Sequence, residues 1–144
     1  MQKYNRGKHS KIRDYGCEPI IFNIRRAAVM NNNFRATLWT GRDMQLTLMS
    51  IPESGDIGVE MHPNVDQFIC VESGRAVIYM GACRNNLQKK AYVDGNYAIL
   101  IPAGTWHNIV NVSKMPLKLY SLYAPPQHPF GTTHYTKAEA DVDP

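Results

Sequence analysis

One short stretch, EMHPNVDQ at residues 60–67, carries most of the side chains that could do chemistry. Glu60 and His62 are two residues apart, so on an extended strand their side chains point to the same side. A Pro-Asn turn follows, and Gln67 then opens an apolar run that could face the same interior. A carboxylate, an imidazole and a carboxamide cannot be buried together cheaply unless hydrogen bonds or a metal ion satisfy them. The stretch therefore predicts one part of a site that needs a further ligand.

A second imidazole, that of His107, lies in the segment PAGTWHN at residues 102–108. Pro102 cannot donate a ladder hydrogen bond and Gly104 permits a positive φ, so the pair predicts a turn that starts a strand near His107. Alone, such a histidine would more often be a hydrogen-bonded structural residue than a ligand. The two segments together offer two imidazoles, a carboxylate and a carboxamide.

Short strands are predicted along most of the chain after residue 33. Runs rich in Thr and apolar residues, separated by turn signals, are typical of strands; the runs are FRATLWTGR, MQLTLMSI, DIGVEMH, DQFICVE, RAVIYMG, KKAYV, NYAILIP, WHNIVNV and LKLYSLYA. One short helix is predicted at Phe22–Asn31, with Asn23 as its N-cap. The regular spacing of short strands predicts an all-β sandwich or barrel.

The length of 144 residues is typical of one domain. We expect an N-terminal arm at residues 1–19, one domain at 20–125, and a Pro- and Gly-rich tail at 126–144 that could fold over the mouth of the barrel. Much of the net charge of +4 lies in the first thirteen residues. No aromatic-interleaved basic patch follows, so we expect no nucleic-acid partner.

The cysteines Cys17, Cys70 and Cys83 are widely spaced and form no CxxC pair. This pattern fits reduced thiols better than a disulfide scaffold. No stretch approaches the length of a membrane span. We therefore expect a cytoplasmic protein with no membrane partner.

Two longer segments carry a family resemblance. GDIGVEMHPNVDQFICVESG at 55–74 and GNYAILIPAGTWHNIVN at 95–111 resemble the first and second motifs of the cupins, the second with one extra residue before its proline. EMHPNVDQF, PAGTWHN and LYSLYAPPQHPFGT are similar to small bacterial cupins described as mannose-6-phosphate-isomerase-like. The resemblance covers about residues 40–125. It implies a double-stranded β-helix, the cupin jelly-roll barrel, with one short N-terminal helix.

The resemblance also implies a metal site, whose ligands would be Glu60, His62, Gln67 and His107. Glu60 stands where the family usually has histidine and Gln67 where it usually has glutamate, so the formal charge of the ligand set is unchanged. Such mixed nitrogen and oxygen ligands suit one divalent ion of Zn, Mn, Fe, Ni or Co. A metal-free barrel held together by hydrogen bonds is the alternative.

Four further residues are candidates for a substrate pocket: Gln45, Trp39, Tyr120 and His128. Alternation along its strand places Gln45 either in the pocket or on an edge strand facing solvent. The two aromatic side chains could equally belong to the core or to an interface. His128 lies in the tail that could cover the barrel mouth.

The function implied by the resemblance is that of a metalloenzyme acting on a small polar substrate such as a sugar or sugar phosphate, with mannose 6-phosphate isomerisation as the named example. Glu60, if it does not bind the metal, is the candidate catalytic proton shuttle. Arg35, Arg75 and Lys118 are scattered and form no evident phosphate clamp. An Fe-dependent dioxygenase and a non-enzymatic small-molecule or carbohydrate-binding module are the alternatives.

Exposed sheet edges and an apolar sheet face predict a homodimer.

Overall fold

The chain folds into two antiparallel β-sheets that share one apolar core. A computed structural model describes residues 11–143, so most of the predicted basic arm lies outside the described residues. The elements in chain order are α1 Ile24–Met30, β1 Arg35–Thr40, β2 Gln45–Ile51, β3 Asp66–Ser73, β4 Ala76–Gly81, β5 Gln88–Val93, β6 Ala98–Ile101, β7 Trp106–Asn111, β8 Leu117–Ala124, β9 Thr133–His134 and α2 Lys137–Val142.

Strand order defines a large and a small sheet. The large sheet runs β6-β3-β8-β2-β1-β9, and the small sheet runs β5-β4-β7. Every strand pair is antiparallel. The predicted all-β class is confirmed.

Two parts of the chain differ from the predicted elements. The run DIGVEMH forms two isolated bridges, Asp56 with Val110 and Glu60 with His107, in place of a continuous strand. Gly58, with φ of 96°, interrupts the extended backbone between them. The tail, predicted to be irregular, contains β9 and α2.

The predicted N-terminal helix is confirmed as α1. The side chain of its N-cap, Asn23, accepts a hydrogen bond from the Arg26 amide at 2.9 Å. The buried Ala28 packs with Leu38 and Leu48 on the outer face of the large sheet. The helix therefore covers part of the face that points away from the barrel interior.

The inner face of the large sheet changes from apolar to polar along the strands. At one end a row of core residues lies in register across β2, β8 and β3: Met49, Leu119 and Val71. Four residues along β2, the corresponding row is Gln45, Tyr123 and Gln67. All three of these polar residues are buried. The polar row marks the end of the barrel where a site can form.

Two other expectations concern the outside of the molecule. Within residues 11–143 no helix is long and apolar enough to cross a membrane. The surface exposes large apolar side chains, including Ile21, Met30 and Leu100. Homodimer formation stays a prediction.

Asn111, the last residue of the second motif, ties three segments together. Its side-chain amide nitrogen lies 2.8–3.1 Å from the carbonyl oxygens of Ile51, Pro52 and Met115. Its side-chain oxygen accepts from the Ser113 amide at 2.9 Å. The residue is buried, so these groups have no access to water as a substitute.

Replacing Asn111 by alanine should therefore destabilise the fold without touching the site. We expect Asn111→Ala to lower the free energy of unfolding by about 2–4 kcal/mol, because it leaves several buried backbone groups unsatisfied. Urea denaturation measures the change. The exposed Asn85 offers a matched control, and Asn85→Ala should stay within about 0.5 kcal/mol of wild type. A loss from Asn111→Ala no larger than this control would contradict the structural role.

Candidate metal centre

A pair of backbone hydrogen bonds places Glu60 opposite His107. The Glu60 amide donates to the His107 carbonyl at 3.0 Å, and the His107 amide donates to the Glu60 carbonyl at 2.9 Å. Directly opposed residues of an antiparallel pair project their side chains to the same face. The Gly104 amide donates to the His62 carbonyl at 2.8 Å and holds the second histidine beside them.

Three side chains of this segment converge on one point. Glu60 Oε1 lies 3.3 Å from His107 Nε2 and 3.5 Å from His62 Nε2. One potential ligand atom from each of the three residues lies within 4.8 Å of the others. His107 is fully buried, at 0% exposure, and His62 is buried as well. The three residues could hold one metal ion.

The protonation of His107 follows from its other ring nitrogen. Nδ1 lies 2.9 Å from the Thr105 carbonyl oxygen, which can only accept, so Nδ1 carries the proton. In the neutral ring, Nε2 then presents a lone pair to the Glu60 carboxylate oxygen. Two acceptors at 3.3 Å repel each other unless a proton or a metal ion lies between them. In a metal-ligating histidine, the ring nitrogen that does not bind the metal usually donates a hydrogen bond to a carboxylate, a backbone carbonyl or water. The contact of His107 Nδ1 with the Thr105 carbonyl is of this kind.

Gln67 contributes an oxygen that no other group satisfies. Its side-chain nitrogen donates to Ser121 Oγ at 2.8 Å. Gln67 is 3% exposed, and in the described part of the chain its Oε1 has no hydrogen-bond partner. It lies opposite Tyr123, whose ring meets that of His62 edge-on at 5.7 Å between centroids. The oxygen is therefore a donor atom available to a cation.

The donor set fits a divalent metal ion. His62 Nε2, like Gln67 Oε1, is buried with no hydrogen-bond partner among residues 11–143. Two imidazoles, one carboxylate and one amide oxygen are ligands that first-row divalent ions accept. A bound cation would satisfy both orphaned atoms and remove the repulsion at Glu60.

The Glu60 side chain is held as a carboxylate. Burial alone would raise its pKa, but hydrogen bonds donated by His107 and His62 when their Nε2 atoms carry protons, together with the charge of Arg35, outweigh burial. Together they hold the pKa of Glu60 well below its ordinary value. The group is ionised at neutral pH, as a metal ligand must be.

A cavity of about 210 Å³ adjoins the three converging residues. Its lining includes Arg35 from β1, Glu60, His62 and His128, with Ala140 and Asp141 from α2 at its rim. The tail thus contributes to the walls of the cavity.

The four predicted pocket residues lie in different places. His128 lines the cavity. Gln45 lies in the interior, on a central strand, with its amide bonded to the 127–128 backbone and to Thr40. Trp39 and Tyr120 pack with the outer apolar cluster beside α1, away from the cavity. An irregularity in the β1–β2 register precedes Trp39, and Tyr120 alternates with the inward-facing Ser121, so both point outwards.

His128 is held neutral in this setting. Burial lowers its pKa to about 3, with a further contribution from the charge of Arg35. Its ring meets that of Tyr123 edge-on at 5.2 Å. Its Nε2 is buried and has no hydrogen-bond partner in the described chain. The cavity wall therefore contains a neutral imidazole whose Nε2 is unsatisfied in the described residues.

Sequence reasoning missed the place of Arg35, which it treated as one of several scattered cations. Arg35 is directly opposite Met49, a core residue, and so faces the barrel interior. The signal available in the sequence was its position in a Thr-rich strand, two residues before Thr37. That signal does not reveal which face is buried.

Comparison with known proteins agrees with this architecture. The family described as Cupin domain matches residues 47–123. The chain belongs to the cupin family. Its sheets are those of the double-stranded β-helix barrel, so the expected fold is confirmed.

Several relatives resemble this cupin along most of its length. YrkC of Bacillus subtilis, described as uncharacterized, is 49% identical over 149 aligned residues that cover 97% of this chain and 80% of that protein. The crystal structure of BH2720 from Bacillus halodurans has 53% identity and a TM-score of 0.89, covering 91% of this chain and 99% of that one. KdgF from Halomonas sp. has 17% identity and a TM-score of 0.56, covering 65% and 80% of the two chains. This last likeness concerns the fold alone.

Metal content provides a direct check of the site. We expect the purified cupin to hold about one divalent ion per chain, measured by plasma mass spectrometry. His62→Ala should weaken metal affinity by at least about 100-fold, since loss of an outer-shell partner alone costs 10–100-fold. Asn85→Ala changes an exposed residue that offers no ligand atom and should leave occupancy unchanged. Full occupancy in both His62→Ala and His107→Ala would refute the ligand set.

The pH response of His128 offers a second check. The folded chain binds the His128 proton more weakly than the unfolded chain, whose pKa is near 6.5. The unfolded state therefore takes up the extra proton, and the free energy of unfolding falls as pH falls from about 6.5 towards 3. In metal-free protein, His128→Asn should lose less stability than wild type between pH 6.5 and 4.5. Titration of the wild-type ring near pH 6.5 by NMR would contradict the burial argument.

Proposed function

We propose that this cupin binds one divalent metal ion through Glu60, His62, His107 and Gln67 and acts as a metalloenzyme on a small polar substrate. The observation that carries the proposal is the burial of two donor atoms, His62 Nε2 and Gln67 Oε1, with no hydrogen-bond partner in residues 11–143. They accompany a carboxylate oxygen of Glu60 that lies 3.3 Å from His107 Nε2. A purely structural interior would leave fewer such groups unsatisfied.

The chain's own residues prepare the site for this chemistry. The Thr105 carbonyl fixes the ring of His107, and Ser121 fixes the amide of Gln67. A divalent ion in such a site supplies a Lewis acid for a carbonyl or enediolate oxygen of the substrate. His128 offers a neutral hydrogen-bonding atom in the cavity wall.

Glu60 is proposed as a metal ligand in preference to a proton shuttle. A general acid or base works best when its pKa lies near the operating pH. Contacts with the two histidines hold the pKa of Glu60 far below that range. A carboxylate of this kind is a weak proton acceptor but a good ligand.

Two reactions are proposed for testing. Sugar-phosphate isomerisation is supported by the resemblance of EMHPNVDQF and PAGTWHN to the mannose-6-phosphate-isomerase-like group. Oxygen chemistry at Fe²⁺ is the second candidate, and it is favoured by the two-histidine, one-carboxylate donor set with an adjoining cavity.

Three further expectations stay proposals. We propose residues 20–125 as the main domain, with the flanking segments as arm and tail. The homodimer is proposed on the exposed apolar side chains of the outer face. A cytoplasmic location is proposed because Cys17, Cys70 and Cys83 are all free thiols.

Turnover assays with defined metal ions test the function. Protein loaded separately with Zn, Mn, Fe, Ni or Co should turn over mannose 6-phosphate, or consume oxygen with a small polar substrate when loaded with Fe²⁺. His62→Ala should lower the rate by roughly 100-fold or more, the scale seen when a group that stabilises developing charge is removed.

The results of these assays distinguish the metalloenzyme, isomerase and oxygen-chemistry proposals. Failure to take up any of the five ions would remove the metalloenzyme proposal. Metal uptake without turnover of mannose 6-phosphate would remove the isomerase reading and leave the oxygen assay to decide. Asn85→Ala, a change at an exposed residue, serves as the control in both assays.

A further inference from the structure

Arg35 is a cation buried in the wall of the cavity beside the candidate metal centre. Its side chain faces the barrel interior from β1, and the residue is only 5% exposed. It lines the same cavity as Glu60 and His62. An arginine cannot shed its proton in a protein, so the burial places a permanent positive charge there.

Within the described residues the guanidinium forms no close ion pair, although its charge acts on the Glu60 carboxylate. Among residues 11–143, no carboxylate oxygen lies within the 4.0 Å of an ion pair with the guanidinium, and Arg35 Nε has no hydrogen-bond partner. The guanidinium carbon lies 5.5 Å from the centroid of the Phe34 ring. Burial of an unpaired charge is costly, so a purely structural role leaves this arrangement unexplained.

The charge balance of the cavity also favours an anion. With the divalent ion of the proposed function bound, the ion supplies +2, Arg35 +1 and Glu60 −1, while the histidines and Gln67 are neutral. Asp141 at the exposed rim adds one negative charge. The cavity therefore keeps a net charge of +1 when the ion is bound.

A second polar group is held ready in the same wall. His128 lines the cavity, and its buried Nε2 has no hydrogen-bond partner in the described residues. Gln45 fixes this segment, because its amide nitrogen donates to the His128 carbonyl at 2.8 Å and its oxygen accepts from the His128 amide at 2.9 Å. The position of His128 is thus set by the barrel interior.

The size of the cavity limits what can bind. Its volume is about 210 Å³, below the roughly 300 Å³ at which pockets for drug-sized ligands start. A compound of a few heavy atoms fits within this volume.

We propose that Arg35 and His128 form an anion-binding subsite and that the substrate of this cupin is a small carboxylate. The substrate's carboxylate pairs with the planar fork of Arg35, which is shaped for bidentate contact with such a group. His128 donates or accepts one hydrogen bond to the same small molecule. The proposal rests on the proposed function for the neighbouring metal and deepens it by naming the substrate class.

Calorimetric titration of zinc-loaded protein with two matched probes tests the subsite. Glycolate carries the carboxylate, and glycolamide has the same size without the charge. We expect wild type to bind glycolate at least about 10-fold more tightly than glycolamide. Arg35→Met should weaken glycolate binding roughly 10- to 150-fold, the range for a hydrogen-bonded charged pair, and leave glycolamide binding unchanged.

Two controls accompany this titration. Arg75 is an exposed arginine, and Arg75→Met should bind glycolate as wild type does. The zinc content of Arg35→Met should remain that of wild type. The thermal unfolding midpoint of ligand-free Arg35→Met should equal or exceed that of wild type, since the variant removes an unpaired buried charge. A structural role for Arg35 would lower that midpoint.

Each outcome decides a separate point. Equal affinity of wild type for glycolate and glycolamide, or unchanged glycolate binding in Arg35→Met, would overturn the subsite while leaving the metal proposal intact. Tighter Arg35-dependent binding of inorganic phosphate than of glycolate would overturn the carboxylate class. A protein that takes up no zinc would remove the proposed function, and the same glycolate and glycolamide comparison on metal-free protein would then decide the role of Arg35.

Discussion

The Glu60 carboxylate lies against two histidine nitrogens, and the chemistry of the barrel interior depends on that contact. Its oxygen is 3.3 Å from a nitrogen of His107 whose tautomer is fixed by the Thr105 carbonyl. Carboxylate oxygens and deprotonated imidazole nitrogens are both acceptors, so they cannot stabilise each other directly. A cation between them turns a repulsive arrangement into a coordinated one. This requirement explains why the unsatisfied atoms of His62 and Gln67 lie at the same end of the barrel.

The surrounding fold confines polar groups to one end of the interior. A row of apolar residues in register, including Met49 and Leu119, fills the other end and belongs to the main core. The antiparallel register sets both rows at once, because a shift of one residue would turn every inward side chain outwards. Asn111 secures the turn next to β2 by bonding its backbone carbonyls. The site is therefore positioned by strand register more than by loops.

Arg35 adds a cost to the free protein that a bound anion would offset. A buried cation without an ion pair destabilises the folded state. Natural proteins commonly accept such a cost where function requires it. His128 is likewise a polar side chain held in the interior. Burial lowers its pKa to about 3 and keeps its ring neutral. Both residues reach the cavity only through the packing of the tail and β1 against the metal centre.

The sequence by itself determined the all-β class, the short helix with Asn23 as its cap, and the candidate ligands, because alternation, capping and motif spacing are local properties. It placed Gln45 and Tyr120 on strands but could not say which face each strand would bury. That choice depends on neighbouring strands, and the tertiary structure sent Tyr120 outwards and Gln45 inwards. The cavity position of Arg35 was likewise decided only by tertiary structure. Arg35 and Glu60 are well separated in the sequence, and strand pairing brings them to the same cavity. No local sequence pattern encodes that pairing.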